Sequence, residues 1–327
     1  MVSLLLTVKV MALYVLLLST IATWQLKHLD MKLRESVFAL KTKCALNLLV
    51  EGRGSPEDWF LNPNFSKLPG LASSEAGFLD ERKVAALGLL TPEALLGKIL
   101  ETNLVARAAL VSTPLTEVLL NVSLCESVLL AEITLSRNFL EGSLTLYLVV
   151  DGCICNASAI VTTPGTDRYL TTFPGVSAEK YVCVVAVYAD ELCCSFNYSL
   201  LVLEQEGLSL SYELDSSGYS ITSKEPANMT VYRFESEGLD VESNSSTQLL
   251  ALRYPRSACF FLVCAARSDG SYGLLAIQHP TPSTAKAVFA QEDALSCIRI
   301  SLSKLAVLRG GGLWVVRLTV WWRKLAL

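Results

Sequence analysis

The chain has two histidines, His28 and His279, and that scarcity limits the chemistry on offer. A Ser-His-Asp or Cys-His arrangement would have to run through His279, which stands before Pro280 and reads as a turn residue. Neither Ser271 nor Ser283 sits in a nucleophile elbow. The chain has no HExxH zinc motif, no P-loop and no dinucleotide fingerprint, and Gly310–Gly312 lacks the strand-to-helix setting of a phosphate cradle. No acid–base pair is visible, so a secreted hydrolase is the least supported reading, and no cofactor is expected.

Ten cysteines lie at positions 44, 125, 153, 155, 183, 193, 194, 259, 264 and 297. On a strand, Cys153 and Cys155 share a face while Cys193 and Cys194 point to opposite faces. A tetrahedral metal site built from those four would leave one thiolate aimed away, so disulfides suit the pattern better than a metal. Cys153, Cys155, Cys183, Cys193 and Cys194 are candidates within one module, and Cys259, Cys264 and Cys297 in the last sheet, with the pairing open. Glu235, Glu237, Asp240 and Glu242 offer oxygen ligands for calcium but match no loop consensus, and read as a solvated segment beside Asn244. Alternation along the last strand puts Trp314 and Trp322 on one face and Trp321 on the other, either as core or as a stacking platform for sugar rings.

The asparagines are more telling. Six of ten, Asn64, Asn121, Asn156, Asn197, Asn228 and Asn244, begin an Asn-x-Ser/Thr glycosylation acceptor. With an even number of cysteines they point to an oxidising compartment and an extracellular chain. The net charge of −4 gives no general basic field, so nucleic acid is not an expected partner. Charge is uneven: residues 204–242 are acidic, whereas Arg299, Lys304, Arg309, Arg317, Arg323 and Lys324 make the end basic. Either these are two solvated faces, or copies meet head to tail.

The element that positions everything else is a helix predicted over Val10–Val50. Residues 10–24 are apolar and uncharged, and are expected to anchor the chain in a membrane. The start of the chain fits an uncleaved anchor, a signal peptide cut near Ala22, or a prepilin-type leader cut near Lys9. Lys27, Lys32 and Arg34 oppose the outward reading by the positive-inside rule, and the sequons outweigh them. Beyond Trp24, the residues Leu26, Leu29, Leu33, Val37, Leu40, Cys44 and Leu48 make one apolar stripe, expected to pack on another helix or on the chain's own head.

Gly52-Arg-Gly54 ends the helix. Short helices are predicted from Asp80 to Leu87 and from Thr91 to about Leu100. From about residue 115 the chain reads as short strands rich in β-branched and aromatic residues. The expected class is α+β: a long N-terminal helix, transmembrane then amphipathic, a small helical region, and an antiparallel β-sandwich-like head. The expected division is 1–25 anchor or signal, 26–110 stalk and helical region, 111–138 with 206–327 main head, and 139–205 an inserted β module.

Three stretches resemble archaeal membrane-anchored surface proteins of type IV pilin-like plan. They are the helix end running through Gly52, Gly54 and Pro56 to Trp59; the segment Gly70-Leu-Ala followed by Leu79-Asp-Glu-Arg-Lys83; and Val150-Asp-Gly-Cys through Pro164, then Phe173-Pro-Gly-Val to Val182. The last is similar to transthyretin-like or immunoglobulin-like surface modules. The resemblance implies a single-pass, outward-facing, non-enzymatic protein with a β head. The chain departs from the pattern in two places: Lys9 is followed by Val10 with no glycine before the cut, and no glutamate opens the apolar helix. Expected partners are the membrane through residues 10–24, further copies or other surface or pilus subunits, and a glycan ligand; an adhesin or receptor-like ectodomain is the alternative function.

Overall fold

The computed structural model describes residues 2–61, 69–75, 77–87, 90, 105–204, 207–214, 218–255, 257–280, 282–288, 297–308 and 312–323, with backbone alone at 2–10, 106, 283–288, 297–298 and 323. Asn64, the helix expected from Thr91 and most of the glycine turn at 309–312 lie outside these residues.

Helix α1 spans Val2–Glu51 and rises about 75 Å at 1.5 Å per residue. A 3₁₀ turn follows at Trp59–Leu61, and α2 covers Glu81–Ala86. The strands, in chain order, are β1 Phe78–Leu79, β2 Val105–Pro114, β3 Val118–Cys125, β4 Val128–Leu135, β5 Gly142–Val150, β6 Cys153–Thr162, β7 Arg168–Pro174, β8 Tyr181–Asp190, β9 Cys194–Val202, β10 Leu210–Leu214, β11 Gly218–Glu235, β12 Gly238–Arg253, β13 Cys259–Ala266, β14 Tyr272–His279, β15 Ser283–Val288, β16 Cys297–Leu308 and β17 Gly312–Arg323.

One sheet, in the order β1-β16-β17-β2-β15, carries the helix. Phe38, Thr42, Ala45, Leu46, Leu49 and Val50 are buried, and all but Thr42 share a core with Val316, Leu318 and Trp322. The Phe38 and Trp322 rings stack at 5.3 Å. Residues 105–110, expected in the helical region, open β2 at the heart of this sheet. Alanine-rich Val105–Leu110 has no clear alternation, and neighbouring strands override its helical propensity.

Two more sheets face each other as a sandwich, β3-β4-β7 against β6-β5-β8-β9. Leu129, Ile133 and Phe173 meet Leu144, Leu146, Val184 and Ala186 between them. Residues 118–135, grouped above with the main head, pair through β4 with β7 of this unit. Strand β8 is buried from Tyr181 to Tyr188 because its second face packs on a fourth sheet, β10-β11-β13-β14, to which β12 is joined through β11. Cys183, Val185 and Phe196 meet Phe234, Phe260 and Leu262 there. That double burial explains a run of apolar residues where one-sided strands alternate.

The transmembrane half of α1 is corrected. Among the described residues no helix is long and apolar enough to cross a membrane. Residues 10–24 rise only about 22 Å against a hydrocarbon core of about 30 Å. Ser19, Thr20 and Thr23 lie inside that run, each turning its hydroxyl back onto a carbonyl of the previous turn.

Candidate functional site

The glycine and tryptophan motifs at the helix end, scattered in sequence, converge into one collar. Leu71 N–H donates to the Leu49 carbonyl at 2.7 Å, and Ala72 N–H to the Gly52 carbonyl at 2.9 Å. These bonds take up carbonyls that the end of α1 would otherwise leave bare. A β-carbon on Gly70 would lie 2.2 Å from the Gly52 oxygen, so the close approach demands glycine. Trp59 is fully buried and its Nε1–H donates to the Gly70 carbonyl at 3.0 Å. Asp80 caps α2 by accepting from the backbone N–H of Arg82 and Lys83.

Lys83 closes the collar. It is 2% exposed, and its Nζ donates to the carbonyls of Arg53 at 2.7 Å and Ala72 at 2.9 Å. Burial pushes its ammonium below the ordinary lysine range, against the pull of Asp80 and Glu57. Beside the collar, Glu51 pairs with Lys304 at 2.5 Å and ties the helix end to β16. Nothing in the sequence distinguished Lys83 from a surface lysine; only its place in the Leu-Asp-x-x-Lys segment marked it.

The predicted stripe on α1 does not face the head. Leu26, Leu29, Leu33, Val37, Leu40 and Leu48 are 47–67% exposed, and Cys44 is exposed as well. The face that packs on the head, centred on Phe38, Ala45 and Leu49, lies roughly 130° around the helix from the stripe at 100° per residue. Packing of the stripe on the chain's own head is therefore corrected.

The sequons separate by geometry. Asn121, Asn156, Asn228 and Asn244 are exposed. Asn197 is half-buried, and its Nδ2, the atom that would carry a glycan, donates to the Val118 carbonyl at 2.6 Å. Among the described cysteines no disulfide forms: Cys44, Cys125, Cys153, Cys155, Cys183, Cys193, Cys194, Cys259 and Cys264 are free thiols, and the Cys297 side chain lies outside the described residues. Exposed Cys153 and Cys155 lie on the outer strand of their sheet; Cys183 and Cys264 share one core, while Cys193 and Cys259 are enclosed in two others.

His279 is sealed, at 2% exposure. Its Nδ1 is 2.8 Å from the Tyr219 hydroxyl and its Nε2 3.3 Å from Glu81 Oε2, with Tyr254 edge-on at 4.9 Å. It joins β14 to α2 rather than lining a turn, a role that required the fold to bring positions 81, 219 and 279 together. Trp314 and Trp322 are core, at 1% and 4% exposure, so a sugar platform on that face is corrected. Trp321, on the opposite face, lies between the guanidinium groups of Arg107 at 4.9 Å and Arg299 at 5.5 Å from its ring. Among the described residues no group of His, Cys, Asp or Glu is arranged to hold a metal.

At the β5–β6 hairpin, Asp151 and Gly152 take φ of 47° and 84°, as an Asp-Gly turn requires. Burial raises the Asp151 carboxyl, but the backbone N–H groups of Glu179, Tyr181 and Lys180 outweigh it and hold the group below the usual carboxylate range.

What fold and site define is a multilayered β head docked on the C-terminal half of one long helix and clasped there by a lysine-centred collar. No family model matches the chain, and no curated protein matches it. Among solved structures it is similar to the FN1–FN3 domains of chicken CNTN1, with 14% identity over 49% of this chain and 66% of that one, at a TM-score of 0.17. It is also similar to a tetra-tandem repeat in the extending region of a large adhesion protein, with 8% identity over 64% of this chain and 74% of that one, at a TM-score of 0.22. The chain thus spans just under two thirds of the first of these.

Proposed function

We propose that this chain is a non-enzymatic cell-surface protein, a pilin-like subunit of the archaeal kind that assembles through α1 and displays its β head outside the cell. The observation that carries the reading is the uncovered stripe. Met11, Val15, Leu18, Ala22, Leu26, Leu29, Leu33, Val37, Leu40, Cys44 and Leu48 follow one another in steps of four, three and four. That is an eleven-residue period of about 3.67 residues per turn, which stays on one side of a nearly straight helix. The regularity suits layered packing against neighbouring helices of the same pattern. The collar fits this role, because together with the Phe38–Leu49 face it fastens the head to the helix. The exposed sequons support an extracellular head.

The test is Leu33→Asp with Leu40→Asp in the full chain, followed by sedimentation and electron microscopy. At about 300 mM salt, where contacts between exposed charges are screened, assembly should disappear while the melting temperature of the head stays within about 2 °C, since neither side chain touches the core. Unchanged oligomers in the variant would overturn the reading.

The adhesin alternative rests on the outer face of β3-β4-β7, where Leu119, Leu130 and Leu170 are exposed around Asn121. A glycan on Asn121 would lie over these side chains, which favours shielding over ligand capture. Binding of a glycan array by the chain would favour the alternative.

A further inference from the structure

The face of the helix-bearing sheet turned away from α1 is basic. In the paired registers Arg107 stands beside Trp321 and Trp321 beside Arg299, and two residue pairs along Val111, Arg317 and Ser303 form another row. Arg299 and Arg317 are exposed, and the Arg317 Nε–H donates to Ser303 Oγ at 3.3 Å. Among the described residues of β2, β16 and β17 there is no carboxylate, and no carboxylate elsewhere among them pairs with Arg299 or Arg317. The exposed Arg299 guanidinium, over the Trp321 ring, can offer N–H groups for forked hydrogen bonds to carboxylates.

The complementary surface is on the same chain. The hairpin of β11 and β12 turns between Glu235 and Gly238, and it exposes Glu237, Asp240 and Glu242. Arg233 already pairs with Glu235, so the other three carboxylates carry the local charge.

Within one copy the two surfaces do not pair: among the described residues no ion pair joins Arg299 or Arg317 to Glu237, Asp240 or Glu242. Glu235 is opposite Cys259, Cys259 is opposite His279, and β15 starts soon after, with Ser283 opposite Ser112. The hairpin tip therefore lies past the Ser112–Pro114 end of the basic sheet, with Arg317 nearer that end, opposite Val111, and the Arg107–Trp321–Arg299 row at the other. At about 3.3 Å per residue the gap along the strands is roughly 20 Å.

We infer that the basic face receives the β11–β12 hairpin of a second copy displaced along the helix axis, with Arg299 and Arg317 meeting Asp240 and Glu242. The contact is polar and sets register and orientation between copies, while the α1 stripe supplies the apolar area. It is independent of that stripe, and the experiment keeps the two apart.

The full chain carrying Leu33→Asp and Leu40→Asp is the background, so that helix contacts are already removed. Self-association of this chain should weaken at least ten-fold between about 20 mM and about 300 mM salt, because screening shortens the reach of exposed charges. Arg299→Glu with Arg317→Glu should weaken it to a similar degree at low salt, and so should Asp240→Lys with Glu242→Lys. An equimolar mixture of the two reversed chains should recover association, which a misfolded variant would not do. Reversals without effect, or a mixture that fails to recover, would overturn the inference. Loss of poly-glutamate binding in the arginine variant with self-association unaltered would do the same, by assigning the face to an acidic polymer.

Discussion

The ammonium of Lys83 donates to the backbone carbonyl of Arg53 at 2.7 Å, across thirty positions of sequence, from inside a nearly water-free collar. Its second bond, to Ala72, makes one side chain hold the helix end and the Gly70–Ala72 segment together. Removing it strands two enclosed carbonyls.

Lys83→Ala should therefore destabilise the chain by roughly 3 kcal/mol, from two unpaired acceptors and a cavity. Lys83→Met keeps most of the volume and should cost about 2 kcal/mol. Urea midpoints check both. A loss below about 0.5 kcal/mol for the alanine variant would mean that the collar closes without its lysine.

The two faces of α1 should respond in opposite ways. Phe38 is 4% exposed and stacked on Trp322, so Phe38→Ala should cost about 3–4 kcal/mol and leave the stripe intact. Leu33→Ala, at a site 64% exposed, should change stability by less than about 0.5 kcal/mol. Thermal unfolding of the two single variants distinguishes them, and equal losses would contradict the assignment of faces.

Glycan occupancy should follow the amide geometry. Peptide mapping of the native protein should find Asn121, Asn156, Asn228 and Asn244 modified and Asn197 bare, because its Nδ2 is committed to the Val118 carbonyl. Asn197→Ala should cost about 1–2 kcal/mol by freeing that carbonyl between β9 and β3, whereas Asn156→Ala should be near neutral. A glycan found on Asn197 would refute the sorting.

Stability should fall at alkaline pH. Burial pushes the thiols of Cys193 and Cys264 up from 9.0 to about 11. Both folded values are raised, so between pH 9 and 11 the folded chain holds protons that the unfolded chain has released. That contribution is complete below pH 9 and is lost as pH climbs through 11, up to about 2.7 kcal/mol per thiol. Lys83, lowered by burial, acts in the opposite sense as pH rises toward the ordinary lysine range. Urea midpoints measured under reducing conditions at about pH 8 and about pH 11 should show the drop, and Cys264→Ala should shrink it. A flat profile would show that these thiols are not shielded.

Much of this architecture is legible in the residues themselves. The apolar spacing along 26–48 specifies a helix with a stripe, Asp80 announces a helix start, and Asp151-Gly152 marks a hairpin. Alternation along Trp314–Trp322 sorts the two faces of the last strand correctly. These signals are local: each depends on the period of one element or the torsion preference of one or two residues.

The partner of each face was decided elsewhere in the chain. Periodicity showed that Leu33 and Leu40 share a side with Leu26, but not that Phe38 and Leu49 would take the head while that side stayed bare. Composition could count cysteines and sequons, yet whether a thiol lies in a separate core or an amide is already bonded depends on which strands become neighbours. Lys83, and the trio of Glu81, Tyr219 and His279, gain their roles only when segments far apart in sequence exclude water between them. A residue's own chemistry fixes what bonds it can make; long-range packing fixes which of them become worth making, because burial removes water as the competing partner.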